Sequence, residues 1–181
     1  GAAVREKGFH QVGGDWYYTD ENGNKLLGLQ EIDGKLYYLD NTESTSLITG
    51  YLAKDKVLSP EQKESTRYPR ISSSTIIEPK IYNYYYFDAE TGAAVTNRFV
   101  NWKGNWYYFG KDGKALLFDQ VINGQHLYFD YEGKQVKGDF VTDYKGTRYY
   151  DENSGELVTN QTRTIKGVTY HFDENGNATK V

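Results

Sequence analysis

The 181-residue chain has no cysteine, no methionine and only three prolines. Without cysteine there can be no disulfide framework, no thiolate nucleophile and no cysteine-based metal site. No apolar run approaches the roughly 20 residues of a membrane-spanning helix, and the mean hydropathy is low. The chain opens on no signal-peptide pattern. It also lacks a cluster of Lys and Arg. With a net charge of -4 and both signs interspersed, no stretch would track a phosphate backbone, which argues against nucleic acid as a partner. A neutral ligand fits this balance best.

What is abundant is tyrosine and glycine, 18 and 19 residues respectively, and both recur in a fixed phrase. Trp16-Tyr17-Tyr18-Thr19-Asp20 returns as Leu36-Tyr37-Tyr38-Leu39-Asp40, Tyr84-Tyr85-Tyr86-Phe87-Asp88 and Trp106-Tyr107-Tyr108-Phe109-Gly110. It continues as His126-Leu127-Tyr128-Phe129-Asp130, Arg148-Tyr149-Tyr150-Asp151 and Thr169-Tyr170-His171-Phe172-Asp173. Self-similarity with a period of about twenty residues marks a stack of small units rather than one globular core. Such a chain is better suited to binding a repeating ligand than to catalysing one reaction.

Each unit carries a glycine four residues before its second motif aromatic: Gly14, Gly34, Gly104, Gly124, Gly146 and Gly167. A second glycine follows the acidic position, as in Gly23, Gly92, Gly113, Gly133, Gly155 and Gly176. Aromatic runs bounded by Gly, Asn and Asp read as short strands joined by tight turns. The expected fold is all-β, a β-solenoid of about seven stacked β-hairpins. Alternation along a strand sorts the motif by face. Tyr17/Thr19, Tyr37/Leu39, Tyr85/Phe87, Tyr107/Phe109, Leu127/Phe129 and Tyr170/Phe172 are expected to point inward. Trp16/Tyr18, Leu36/Tyr38, Tyr84/Tyr86, Trp106/Tyr108, His126/Tyr128, Arg148/Tyr150 and Thr169/His171 form the wetter face. Arg148-Tyr149-Tyr150-Asp151 is one residue short, so a bulge there could exchange the faces.

Residues 1–41 and 82–181 read as repeat units of one solenoid domain, and residues 42–81 as an irregular insertion within a repeat. The insertion holds all three prolines, Pro60, Pro69 and Pro79, and the run Ser72-Ser73-Ser74-Thr75. Ser59-Pro60-Glu61-Gln62 has the form of a helix start, with a capping Ser and a first-turn Pro, which predicts a short helix followed by an extended loop. Gly1-Ala2-Ala3-Val4 matches Gly92-Ala93-Ala94-Val95 at the tail of a unit, so the chain is expected to be a fragment of something longer.

The phrases Trp106-Tyr107-Tyr108-Phe109-Gly110-Lys111-Asp112-Gly113-Lys114 and Ile122-Asn123-Gly124-Gln125-His126-Leu127-Tyr128-Phe129-Asp130 resemble the cell-wall and choline-binding-type repeat superfamily. Within it they are most similar to repeats of the C-terminal glucan-binding domain of streptococcal glucansucrases (glucosyltransferases). Asn97-Arg98-Phe99-Val100, Asp139-Phe140-Val141-Thr142-Asp143 and Ser154-Gly155-Glu156-Leu157-Val158-Thr159-Asn160 fit the same repeat type. The resemblance implies a β-solenoid, secretion or cell-wall association in a Gram-positive bacterium, and binding of an α-glucan such as dextran or isomalto-oligosaccharide. It also implies a parent that is a sucrose-dependent glucosyltransferase or a non-catalytic glucan-binding protein, with a role in biofilm.

A glucose ring offers a C–H face to an aromatic ring and hydroxyls to directed hydrogen-bonding groups, so a pocket calls for an exposed Trp or Tyr beside an amide and a Lys. Gln30 precedes Gly34 and Gln120 precedes Gly124 by the same four residues, and Lys35 and Gln125 follow those glycines. One candidate pocket is therefore Trp16, Tyr18, Gln30 and Lys35, and a second is Trp106, Tyr108, Gln120, Gln125 and Tyr128. The corresponding positions Val100 and Thr142 lack the amide, and Arg163 replaces it. Inter-hairpin packing is the competing role for every one of these aromatics. One such pocket should bind near the millimolar level, about 4 kcal/mol. Several on one polymer gain about two to four orders of magnitude.

Choline on teichoic acid is the nearest rival ligand, but an aromatic cage for a quaternary ammonium prefers Trp, and only Trp16, Trp102 and Trp106 are present. Toxin-type cell-surface carbohydrate repeats and a dextranase-inhibitor-type protein are further alternatives. No catalysis is expected within this segment. Its carboxylates are spread along turns without facing partners, and His10, His126 and His171 lie in different units. No cofactor or metal is expected. Asp20-Glu21-Asn22-Gly23-Asn24 and Asp173-Glu174-Asn175-Gly176-Asn177 lack EF-hand spacing and read as turns.

Overall fold

The computed structural model describes residues 6–43, 47–63 and 80–181, and among them every regular element is a β-strand. The described residues fall into two compact units, one within residues 1–61, 83–102 and 109–115 and the other within 62–82, 103–108 and 116–181.

In the first unit β1 (Gly8–Val12) pairs antiparallel with β2 (Asp15–Thr19), and β3 (Gly28–Ile32) with β4 (Lys35–Leu39). Strand β5 (Lys56–Gln62) is tied to β6 (Tyr82–Phe87) through Glu61, whose Oε1 accepts from Asn83 Nδ2 at 3.0 Å and from the Tyr85 hydroxyl. β7 (Arg98–Trp102) also belongs to this unit, whereas the Lys103-Gly104 turn and β8 (Asn105–Phe109) as far as Tyr108 belong to the second. In the second unit β9 (Phe118–Ile122) pairs with β10 (Gln125–Phe129), and β11 (Asp139–Asp143) with β12 (Gly146–Tyr150). There β13 (Gln161–Ile165), β14 (Val168–Phe172) and β15 (Ala178–Lys180) make a three-stranded sheet. This is the all-β stack of hairpins that the periodicity implies.

Two-residue connections between right-twisted strands need positive φ at both positions. Asn123-Gly124 supplies it with φ of 52° and 79°. A second device is the Asp that closes every motif except the fourth, which ends in Gly110. Asp130 Oδ1 accepts the N–H groups of Glu132 and Lys134 at 2.9 Å each, and Asp20 and Asp173 do the same in their own turns. These carboxylates hold the chain reversals that end their hairpins. Asp151, which also takes a 2.9 Å bond from Arg163 Nη1, is pulled well below the usual carboxylate range, first by the Ser154 N–H and next by Arg163.

Most of the expected inward face is buried: Tyr17, Tyr85, Tyr107 and Leu127 are buried and Leu39, Phe87, Phe109, Phe129 and Phe172 fully buried, while Tyr37 and Tyr170 are half-buried. Hairpins are then joined by one recurring bond. In five places a residue of the segment after one hairpin donates its N–H to the carbonyl of the first motif residue of the hairpin before it. In the first unit these are Leu52 to Trp16 O at 2.7 Å, Ala94 to Leu36 O at 2.8 Å and Ala115 to Tyr84 O at 2.8 Å. In the second they are Gln135 to Trp106 O at 2.8 Å and Leu157 to His126 O at 2.9 Å. The stacking is thus carried by backbone, which lets the side chains at those positions vary.

Two expectations need correction. Ser59-Pro60-Glu61-Gln62 lies in strand β5, not at a helix start. The residue before a proline avoids the helical region, and a two-stranded sheet offers an edge where the missing proline N–H is harmless. The remainder of the expected helix and loop, with Pro69, Pro79 and Ser72–Thr75, lies outside the described residues, as does Gly1–Val4. The second correction concerns β12. Its register, Asp139↔Tyr150 and Val141↔Arg148, is regular, so Tyr150 stands where Phe129 and Phe172 stand in their hairpins. There is no bulge, and the faces are exchanged: Arg148 and Tyr150 point inward at 3% and 1% exposure. The two-residue turn is Tyr144-Lys145, with Gly146 one position further on. Aligning the unit on its glycine instead of its strand ends shifted it by one residue. By the same shift Val141, not Thr142, corresponds to Gln30 and Gln120.

Candidate functional site

The outward face of one hairpin packs on the inward face of the next. In the first unit Phe9 and Tyr18, neighbours in the β1–β2 register, meet Ile32, Tyr37 and Leu39 of β3–β4, with the Phe9 ring 4.9 Å from Tyr18 and 5.3 Å from Tyr37. In the second unit Phe140 and Tyr149 meet Ile165, Tyr170 and Phe172 in the same way, with Phe140 5.0 Å from Tyr149 and 5.1 Å from Tyr170.

The junction of β9–β10 with β11–β12 departs from this pattern. The register puts Asp119 where Phe9 and Phe140 sit, Asp143 where Ile32 and Ile165 sit, and Arg148 where Tyr37 and Tyr170 sit. Arg148 donates to both oxygens of Asp143 at 2.7 and 3.0 Å and reaches Asp119 at 3.3 Å. Lys145 adds a 3.1 Å bond to Asp119. The Arg148 side chain is 4% exposed, against 18% for Asp143 and 41% for Asp119. Hydrogen bonding from Arg148 holds the Asp143 carboxyl below the usual range, and Asp143 raises the guanidinium further in return. Tyr128, its ring 5.6 Å from Tyr150, is pushed up to about 12, mainly by burial and then by the charges of Asp119 and Asp143.

Of the first candidate pocket, Tyr18 is buried at 7%, a member of the apolar junction, while Trp16 is half-buried and Lys35 is exposed at a hairpin tip. Gln30 pairs with Tyr37 on the face that receives Tyr18, and its Nε2 donates to Leu27 O at 2.8 Å. Gln120 does the same to Leu117 O at 2.7 Å. The matched spacing of the two glutamines thus produces a matched local bond from the amide nitrogen to the third residue back. Of the second pocket, Trp106 is 39% exposed, Gln125 is exposed, and Tyr108 and Tyr128 are half-buried. Gln120 shares a face with Leu127, and Tyr128 lies on the opposite face of the same hairpin.

Sequence reasoning missed two features. Each of these tryptophans carries a lysine from the segment that stitches the next hairpin to it: Lys54 Nζ is 6.0 Å from the Trp16 ring and Lys137 Nζ is 5.4 Å from the Trp106 ring. The other is an open cavity of about 370 Å³ in the first unit, with Tyr18, Leu26 and Ile32 among its lining and Lys7, Asp20, Glu21, Glu31 and Asp33 as charged lining residues. It shares only Tyr18 with the first candidate pocket. Among the described residues no cluster of His, Asp and Glu could hold a metal ion.

Residues 120–161 match the choline-binding repeat family, and residues 7–25, 97–115 and 163–178 match the putative cell wall binding repeat family. Glucosyltransferase-I of Streptococcus downei is 36% identical over 96% of the chain, and Glucosyltransferase-I of Streptococcus mutans is 40% identical over 83%. The chain spans 13% and 8% of the length of these relatives. Among solved structures, CbpJ of Streptococcus pneumoniae aligns with a TM-score of 0.63 at 21% identity over 97% of this chain and 49% of its own. The modular autolysin LytC of the same species aligns with 0.65 at 18% identity over 96% and 33%. These similarities extend the hairpin stack to a known β-solenoid fold. The chain is homologous to C-terminal regions of streptococcal glucosyltransferases, and parts of it match choline-binding and cell wall binding repeats.

Proposed function

We propose that the chain is an α-glucan-binding module that holds a dextran-like polymer at several shallow sites, as part of a secreted or cell-wall-associated glucosyltransferase. The observation that carries this reading is the 36–40% identity to glucosyltransferases over most of the chain. The half-exposed indole of Trp106, with the Gln120 amide on the same hairpin stack, is the geometry that best suits a pyranose: a ring face for C–H contact and an acceptor for hydroxyls. Trp16, Tyr18, Gln30 and Lys35 would form one site, and Trp106, Tyr108, Gln120, Gln125 and Tyr128 the second. Hairpins whose contact positions carry apolar or charge-paired residues would serve as scaffold. Residues 1–41 and 82–181 would form one run of repeats, interrupted by the insertion at 42–81.

Choline is the second reading, favoured by the match of residues 120–161 to choline-binding repeats. Chromatography separates the two. Retention on cross-linked dextran with release by soluble isomalto-oligosaccharide is expected. Retention on a choline-substituted resin with release by choline, and none on dextran, would sink the glucan reading. Loss of dextran retention in Trp106→Ala and Gln120→Ala would place a site at β8–β9, and unchanged affinity in both would remove it.

A further inference from the structure

The three tryptophans of the chain are not equivalent. Trp102 directs its Nε1 to Asp55 O at 3.2 Å. Trp16 and Trp106 instead open the motifs of β2 and β8, and each has an ammonium held over its ring. The two lysines occupy the same place in the repeat, two residues beyond the one whose N–H bonds the tryptophan carbonyl: Leu52 then Lys54, Gln135 then Lys137. At the equivalent place after the other stitched hairpins stand Thr96, Leu117 and Thr159. Lysine is present where the facing motif begins with tryptophan and absent where it begins with Leu36, Tyr84 or His126. Lys137 is further steadied by a 3.2 Å bond from its Nζ to Asn153 O, which still leaves donors on the ammonium. Each dyad lies within one compact unit of the chain.

The charge decides what such a dyad can take. A quaternary ammonium is recognised by aromatic faces with no competing cation. Here the ring already carries one, so a choline headgroup would meet like charge at the surface it needs. A neutral polyol meets no such opposition. Its C–H face can lie against the exposed part of the indole ring face while the ammonium, a strongly hydrated point donor with three N–H groups, bonds a hydroxyl. We infer that Lys54 and Lys137 are ligand-contacting, specificity-determining residues of the two tryptophan sites, admitting uncharged sugar hydroxyls and turning away trimethylammonium. This rests on the glucan-binding reading and adds to it the residues that choose between the two ligand classes.

The test uses the whole chain and a short isomalto-oligosaccharide, so that avidity does not mask single sites, with binding read by calorimetry and by tryptophan emission. Two double variants are made, Lys54→Met with Lys137→Met and Lys54→Arg with Lys137→Arg, each checked against the parent by near-UV circular dichroism. Losing a charged donor at both sites should weaken affinity about tenfold or more, one decade per 1.4 kcal/mol, and the arginine pair should stay within about threefold of the parent. Choline chloride at tens of millimolar should leave the tryptophan signal and the sugar affinity of the parent unchanged. Parent-like affinity in the methionine pair, an equal loss in the arginine pair, or displacement of the sugar by choline would each overturn the inference. A parent that binds no isomalto-oligosaccharide would instead overturn the glucan reading itself, and the lysine assignment with it.

Discussion

The charged junction of β9–β10 with β11–β12 allows a sharp test of how the hairpins are held together. Replacing Arg148 by Met removes the cation that contacts both Asp143 oxygens, at 2.7 and 3.0 Å, and strands a carboxylate that is 18% exposed. Breaking a buried pair costs about 3–5 kcal/mol, and Asp143 still accepts the Lys145 N–H at 2.9 Å, so a loss of about 3 kcal/mol is expected. Asp143→Ile should cost about the same, because Arg148 would keep only the longer bonds to Asp119 at 3.3 Å and to the Tyr150 hydroxyl at 3.4 Å. Asp119→Phe should cost about 1 kcal/mol, since that carboxylate is 41% exposed and well screened. The three single changes would thus sum to about 7 kcal/mol. Made together as Asp119→Phe, Asp143→Ile and Arg148→Tyr, they rebuild the apolar arrangement seen in Phe9, Ile32 and Tyr37 and in Phe140, Ile165 and Tyr170. Apolar replacement of a buried ion cluster is neutral or stabilising by about 1–4 kcal/mol. Urea unfolding followed by far-UV circular dichroism, with the cooperativity of each transition checked because repeat arrays can unfold in parts, measures this directly. A triple variant as unstable as the sum of its singles would refute the equivalence of the junctions. A pH arm adds a sign. The folded-state pKa of Asp143 is depressed, so its contribution is present above the ordinary carboxylate value near 3.9 and is lost as pH falls below it. The parent should lose stability more steeply than the triple variant on acidification.

Two further outcomes follow from the same structure. Tyr86 and Tyr128 are both pushed up to about 12, first by burial, so the folded state keeps their protons longer than the unfolded chain. Stability should fall as pH rises from about 10 to about 12, and a tyrosinate absorbance titration in which every tyrosine ionises together near 10 with the fold intact would contradict this. Gly176→Ala should lower the melting temperature more than Gly124→Ala. Both have positive φ, 84° and 79°, but a Cβ at Gly176 would lie 2.7 Å from Leu157 Cδ1 while one at Gly124 meets nothing within 4 Å. Equal melting temperatures would mean that close packing of the turn on the preceding segment contributes nothing.

Some of this architecture is local and therefore readable along the chain. The Asn123-Gly124 turn and the Asp20 and Asp130 turns depend on residues within five positions of one another, and the period of about twenty residues is the recurrence of such local phrases. The burial of Tyr107/Phe109 and their counterparts follows from strict alternation once strand ends are known. Local reading fails where two signals conflict. In β12 the glycine sits one place off its usual position, and only the register Asp139↔Tyr150 decides that Arg148 faces inward. Ser59-Pro60 suits a helix start and an edge strand equally, and pairing with β6 selects the strand. Gln30 and Gln120 were legible as equivalent, but that each turns its amide nitrogen onto the carbonyl three residues back was not.

The sequence alone thus determined the repeat, the all-β class and the candidate tryptophans, because turn chemistry and side-chain alternation act over a few bonds. Tertiary structure alone decided which residues of different hairpins meet: Asp119 with Arg148 across 29 positions, Lys137 over Trp106 across 31 and Lys54 over Trp16 across 38. Those distances are closed by the backbone bonds that stitch one hairpin to the next, and a bond between backbone groups leaves no mark on the identity of the side chains it brings together.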